Sequence, residues 1–356
     1  MPPLLFNNKS YIIKFTTRHA WSSSCKMINK VSITPPTQPL NYLLFAWGVE
    51  NSRLIWYTAR CLSGTRAGLA CMREWMWRGF RFSLPVDWEL LQFSRERGIG
   101  RCAFADRYQY RLEWSWRAVE RMPDIARLMT DYRSKLVTEG TMAEPKLVEL
   151  AGWRGLAGKQ GKAWTSRFGR FFEEAGCLTE LVFLWPGSRN HEIERSVCSS
   201  FEPVATKKGL QPWKAFGMAI EAPAQVPLFE CKVEPANAVL TFSAKKGGDS
   251  CVFRRLGLAP VWLKEPVADW LRRQMPRRVR DVACTEETRA GHSVSLVRGT
   301  VPRRGPFFPP RSYAAAAWQC PDDGRLYCVT QTERKRKEPC APPPTLSCCS
   351  GCEVQL

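Results

Sequence analysis

The chain has 356 residues, 44% hydrophobic and 24% charged, with 15 Trp, 15 Cys and a formal net charge of +20. That is the composition of a globular protein with room for about two domains, and it excludes a disordered or fibrous chain. No stretch reaches the roughly 18 uninterrupted apolar residues of a spanning helix; LNYLLFAWGVENSRLIWY is broken by Glu50, Asn51 and Arg53. The basic excess is spread along the chain, whereas a nucleic-acid binder usually gathers it on one face.

Residues 1–76 hold only two acidic residues, Glu50 and Glu74, and show no clear period of 2 or 3.6. They read as a disordered basic leader or as a mis-assigned start, with Met72 or Met76 directly before the first strongly patterned segment. The opening MPPLLFNNKSYIIKF lacks the features of a secretory signal, and most Cys sit singly in apolar runs. Both observations point to a reducing, cytoplasmic setting.

From Trp77 the pattern is legible. Trp77–Pro85 alternates and stops at a proline; Trp88–Phe93, Arg101–Ala105 and Tyr108–Arg117 follow as strands. At Pro123–Val137 the period becomes helical. Leu147–Leu156 with Gly161–Phe168, then Leu178–Trp185, return to strand, and His191–Phe201 is helical again. The order is β-β-β-β-α-β-β-β-α, which predicts an antiparallel sheet covered by helices.

The second half repeats this order. Trp213-Lys214-Ala215-Phe216-Gly217 echoes Trp77-Arg78-Gly79-Phe80, and Val239–Phe242 echoes the strand ending at Phe104. Val252–Leu256 echoes Leu112–Arg117, a helical segment runs from Val261 to Arg273, and strands recur at Arg280–Cys284, Ser293–Val297 and Gly324–Thr330. The expected fold class is α+β: two tandem antiparallel β-sheets each packed with helices. Its units are a leader 1–76, a first sandwich 77–210, a second 211–335 lacking its closing helix, and a disordered Cys/Pro-rich tail 336–356.

The Phe82–Pro85 strand end with Trp88, and the helix ending Val197-Cys198-Ser199-Ser200-Phe201, carry a resemblance to the PsbP-like α/β/α sandwich. The resemblance implies a fold and, from most members of that fold, an accessory or binding role. It transfers no functional residue.

The chemical templates fail in turn. His191-Glu192-Ile193-Glu194-Arg195 lacks the second His of a zinc-protease helix. The glycines between Gly152 and Gly161 lack Walker spacing, and no serine lies in G-x-S-x-G. Glu173-Glu174 and Glu286-Glu287 point to opposite strand faces. Cys349-Ser350-Gly351-Cys352 supplies half of a zinc site, but Cys320 and Cys328 are too far apart to be the usual other half. The tail is therefore expected to hold neither metal nor cofactor, with Cys349 and Cys352 as the residual metal candidates. A basic cluster of Arg254, Arg255, Arg272, Arg273, Arg277 and Arg278, interleaved with Trp262 and Trp270, is the candidate polyanion contact. The expected function is non-catalytic binding or assembly with an unknown protein partner. The alternatives are a non-specific nucleic-acid binder and an enzyme without a recognisable motif. The less covered face of residues 211–335 is the expected docking region.

Overall fold

The computed structural model describes residues 71–94, 96, 98–244, 249–303, 310–334, 343–349 and 352–356. The expected leader lies outside these residues up to residue 70. From Met72 onward the chain is strand, not leader.

The chain first makes a hairpin. Strands β1 (Met72–Trp77) and β2 (Phe80–Pro85) pair antiparallel around Arg78-Gly79. Both turn residues have positive φ, 55° and 80°. That is the two-residue turn whose twist matches the strands, and it breaks the single strand expected across Trp77–Pro85. The second half repeats the device. β11 (Leu210–Ala215) and β12 (Met218–Pro223) turn at Phe216-Gly217, with φ of 53° and 71°.

The two hairpins join back to back, with Met76 opposite Lys214 and an ion pair of 2.7 Å between Lys214 and Glu74. Together with β10 (Glu202–Pro203), β20 (Thr345–Cys349) and β21 (Cys352–Gln355) they form a shared sheet, ordered β10-β2-β1-β11-β12-β20-β21. The expected disordered tail thus supplies two strands of this sheet.

Two further sheets have matching order. The first is β3 (Glu89–Phe93), β4 (Ile99–Ala105), β5 (Tyr110–Ala118), β9 (Cys177–Trp185), β8 (Ala163–Phe172), β7 (Trp153–Gln160) and β6 (Ala143–Leu150). The second is β13 (Leu228–Glu234), β14 (Asn237–Ser243), β15 (Ser250–Leu256), β19 (Leu326–Arg334), β18 (Arg311–Gln319), β17 (His292–Val301) and β16 (Arg280–Arg289). Every ladder is antiparallel, and strand for strand the two orders correspond.

This corrects the expected fold class. The described chain is mostly β, with three antiparallel sheets, and not an α+β protein of two helix-covered sandwiches. Four short helices serve as local covers. They are α1 (Ile125–Thr138), α2 (His191–Ser200), α3 (Ala259–Trp262) and α4 (Val267–Gln274). α1 lies against β6 and β7, α4 against β17 and β18, and α2 against β2. The helix expected from Val261 to Arg273 is split at Pro266, which has no N–H to continue the ladder. An apolar sheet face covered by a second sheet needs no helical layer, and the shared sheet provides that cover, with Trp75 packed on Phe104 and Trp213 on Phe242. Trp75, Trp77, Phe82, Trp213 and Phe242 belong to one continuous buried cluster spanning both halves.

Candidate metal centre

His292, Cys320, Cys348 and Cys349 place four ligand atoms within 4.8 Å of one another. Three local structures bring them together. β16 and β17 turn at Ala290-Gly291, whose φ values are 46° and 78°, and His292 is the first residue after the turn. Its Nδ1 lies 2.9 Å from the Ala290 carbonyl oxygen. Donation from Nδ1–H to that oxygen leaves Nε2 as the free lone pair, the usual outer contact of a metal-binding imidazole. Cys320 opens the turn between β18 and β19, where its N–H donates to Arg325 O at 2.9 Å. Cys348 and Cys349 end β20. Successive strand residues normally face opposite ways. The β20–β21 ladder slips between Ser347 and Cys349, and this bulge turns both thiols toward the same histidine.

The distances are tight. His292 Nε2 lies 3.5 Å from Cys320 Sγ, 3.5 Å from Cys348 Sγ and 3.7 Å from Cys349 Sγ. Cys348 and Cys349 Sγ are 3.7 Å apart. The Trp318 indole N–H donates to Cys348 Sγ at 3.2 Å. His292 and Cys320 are buried; Cys348 and Cys349 are half-buried. Burial pushes the Cys320 and Cys348 thiols up to about 12, and it raises the neighbouring Cys352 thiol as well. Without a cation these groups are neutral thiols at pH 7. A bound cation inverts that preference by stabilising thiolate.

Of the residual metal candidates, Cys349 lies in this cluster. Cys352 is its ladder partner and lies beside Cys348. Cys328 is on β19 in a separate buried cluster, and Cys340 lies outside the described residues. The C-x-x-C pair does not act as a half-site: Cys349 joins Cys348, not Cys352, and the set is made up by a histidine and a cysteine distant in sequence. The one local cue was the adjacency of Cys348 to Cys349; the Ala290-Gly291-His292 turn carried no ligand spacing.

The polyanion candidates divide. Arg254 donates to Asn237 and to Gln274 at the end of α4, whereas Arg255, on the opposite face of β15, is partly buried beside Gly217 and Arg325. Arg272 pairs with Asp269 and Arg273 with Glu265; Arg277 and Arg278 are exposed just after α4. Elsewhere, a groove of about 720 Å³ between Trp88 and Trp185 holds Asp106, Arg111 and Arg189. These are engaged in ion pairs, Arg111 with Asp106 at 2.6 Å and Arg189 with Glu194 at 2.7 Å. Among the described residues, no helix is long and apolar enough to cross a membrane.

No family model matches the chain, and no curated protein matches it. A crystal structure from Bacteroides thetaiotaomicron aligns at 14% identity and a TM-score of 0.26, over 38% of this chain and 50% of that one. The aligned part spans half the length of that chain. The Pseudomonas aeruginosa MucA/MucB complex aligns at 12% identity and a TM-score of 0.11, over 74% and 86%. At these scores neither comparison defines a fold or a function for this chain.

Proposed function

We propose that this chain is a non-catalytic assembly protein that offers the same strand edge twice. One observation carries the proposal. Among the described residues β3 and β13 end their sheets, and each is bulged at the same rung, after Leu90 opposite Phe104 and after Leu228 opposite Phe242. The bulged residues are Leu91 and Phe229, 54% and 53% exposed. An exposed apolar side chain on one edge is ordinary surface. The same feature at equivalent positions of two edges supports reading them as a pair of docking edges. Edge strands present unpaired backbone groups, and an extended protein segment can add to them. The edge of a second copy is the simplest such segment, because equivalent patches support a two-fold interface. The twelve free thiols among the described residues suit a reducing, cytoplasmic setting.

The test is sedimentation of the full chain over a range of concentrations. Concentration-dependent association is expected, weakened at least about tenfold, or roughly 1.4 kcal/mol, by the double substitution Leu91→Lys and Phe229→Lys. A chain that stays monomeric to about 100 µM overturns the proposal.

A second reading is non-specific polyanion binding. Arg254, Arg272, Arg273, Arg277 and Arg278 lie on or beside α4. It requires binding to single-stranded DNA that weakens steeply with salt, and an affinity indifferent to salt removes it.

A further inference from the structure

We propose that His292 Nε2 and the Sγ atoms of Cys320, Cys348 and Cys349 bind one Zn²⁺ ion, which fastens the C-terminal hairpin of β20 and β21 to the second lobe, the sheet of β13 to β19, the sheet of β3 to β9 being the first. Zn–S bonds of about 2.3 Å and Zn–N bonds of about 2.0 Å give a tetrahedron with edges of about 3.8 Å between sulfurs and about 3.5 Å between sulfur and nitrogen. The observed separations of 3.7 Å and of 3.5 to 3.7 Å are those edges. The Cys320 Sγ lies within 4.8 Å of the other two sulfurs, so a displacement of about 1 Å at most completes the figure. Three thiolates and one imidazole select a soft, tetrahedral cation, and four protein ligands leave no position for substrate. Binding releases the three thiol protons to solvent and leaves His292 neutral, with its Nδ1 proton on the Ala290 carbonyl.

The ladders show what the metal replaces. In the first lobe Trp114 pairs with Leu181, Leu181 with Phe168, and Phe168 with Gly155. In the second lobe the corresponding chain is Phe253, Val329, Ala316 and Leu296. Phe172 therefore corresponds to Cys320, and Trp153 to Val294. By the pairing of β10 with β2 and of β20 with β12, Phe201 corresponds to Leu346 and Pro203 to Cys348. In the first lobe Phe201 packs on Phe172 and Trp153, with ring centroids 6.0 and 5.5 Å away, and Trp153 Nε1–H donates to the Cys198 carbonyl at the end of α2. That aromatic closure is absent from the corresponding second-lobe positions, which hold Leu346, Cys320 and Val294.

The hairpin of β16 and β17 compensates by growing two residues longer on each strand than β6 and β7. His292 is carried on the extension, and Arg289 beside it donates to Gln355 O on β21 at 3.2 Å. One lobe is closed by a helix and tilted and edge-on rings; the other is closed by a metal. The ion does this whether or not the β3 and β13 edges find a partner.

The full chain, stripped by chelator under reductant and titrated with Co²⁺, tests this directly. One equivalent is expected, with thiolate-to-cobalt charge transfer, the intense visible bands of tetrahedral Co²⁺, and displacement by Zn²⁺. His292→Ala and Cys349→Ser are expected to weaken Co²⁺ binding at least about tenfold. Cys328→Ser, which removes a buried thiol outside the cluster, is expected to leave it unchanged, as is Cys352→Ser. Absence of the charge-transfer band in the unmodified chain overturns the proposal. So does equal weakening by Cys328→Ser, or loss of binding on Cys352→Ser.

Discussion

The indole N–H of Trp318 points at the sulfur of Cys348, 3.2 Å away, and its ring is stacked on Tyr327 at a centroid distance of 5.9 Å. A hydrogen bond to a thiolate disperses its charge and orients the lone pair that meets the metal. Trp318→Phe keeps most of the buried ring and removes the donor. Zn²⁺ affinity is expected to fall by about 10- to 100-fold with the stoichiometry still one. Competition titration against a chromophoric chelator measures both. An unchanged affinity would show that the indole is packing alone.

Phe201 is the hub of the first lobe, with ring contacts to Phe80, Phe82, Trp114, Trp153 and Phe172. Truncating such a residue removes its transfer energy and leaves a cavity that surrounding rings fill poorly. Phe201→Ala is expected to cost about 3–5 kcal/mol in urea unfolding. A loss under about 1 kcal/mol would mean that α2 re-seats freely.

Glu194 is fully buried, accepts from Trp185 Nε1–H at 2.8 Å and pairs with Arg189 at 2.7 Å. Removing the carboxylate leaves the Trp185 N–H and the Arg189 guanidinium, which borders the groove, without their buried partner, at about 1–3 kcal/mol. Glu194→Ala should show that loss, and adding Arg189→Ala should recover part of it. Simple additivity of the two substitutions would contradict coupling.

Burial pushes the thiols of Cys102, Cys251 and Cys328 up to about 12. In the unfolded chain a thiol ionises near 8.5. Between these values the folded state holds protons that the unfolded state has lost, so stability is full below about pH 8.5 and falls as pH rises toward 12. The decline reaches about 1.4 kcal/mol per pH unit for each thiol. Urea midpoints at pH 7, 8, 9.5 and 10.5 should be level for the first pair and then drop. A level profile through pH 10.5 excludes the effect.

Much of the strand order was legible because alternation is a local property: Val252–Leu256, the strand at Phe242 and the Pro85 stop all lie in strands or at strand ends. The matching of the two halves could be read at low identity for the same reason. One error was local too. Trp213 was aligned with Trp77, whereas the turns at Gly79 and Gly217 and the pairing of Met76 with Lys214 set Trp213 against Trp75.

What the sequence by itself determined is the alternation of most strands and the recurrence of that pattern; the turn at Arg78-Gly79, the strand Arg311–Gln319 and the two C-terminal strands were not legible in it. What only the tertiary structure decided is the pairing. A hairpin carries no mark of whether it will join its own sheet or its twin's, because backbone hydrogen bonds are the same in either ladder. The Cys-rich end read as disordered because its partners, β12 and His292, are more than fifty residues away in the chain. A tetrahedral ligand set is a relation in space, and only folding brings a turn histidine, a turn cysteine and a bulged pair of thiols to one point.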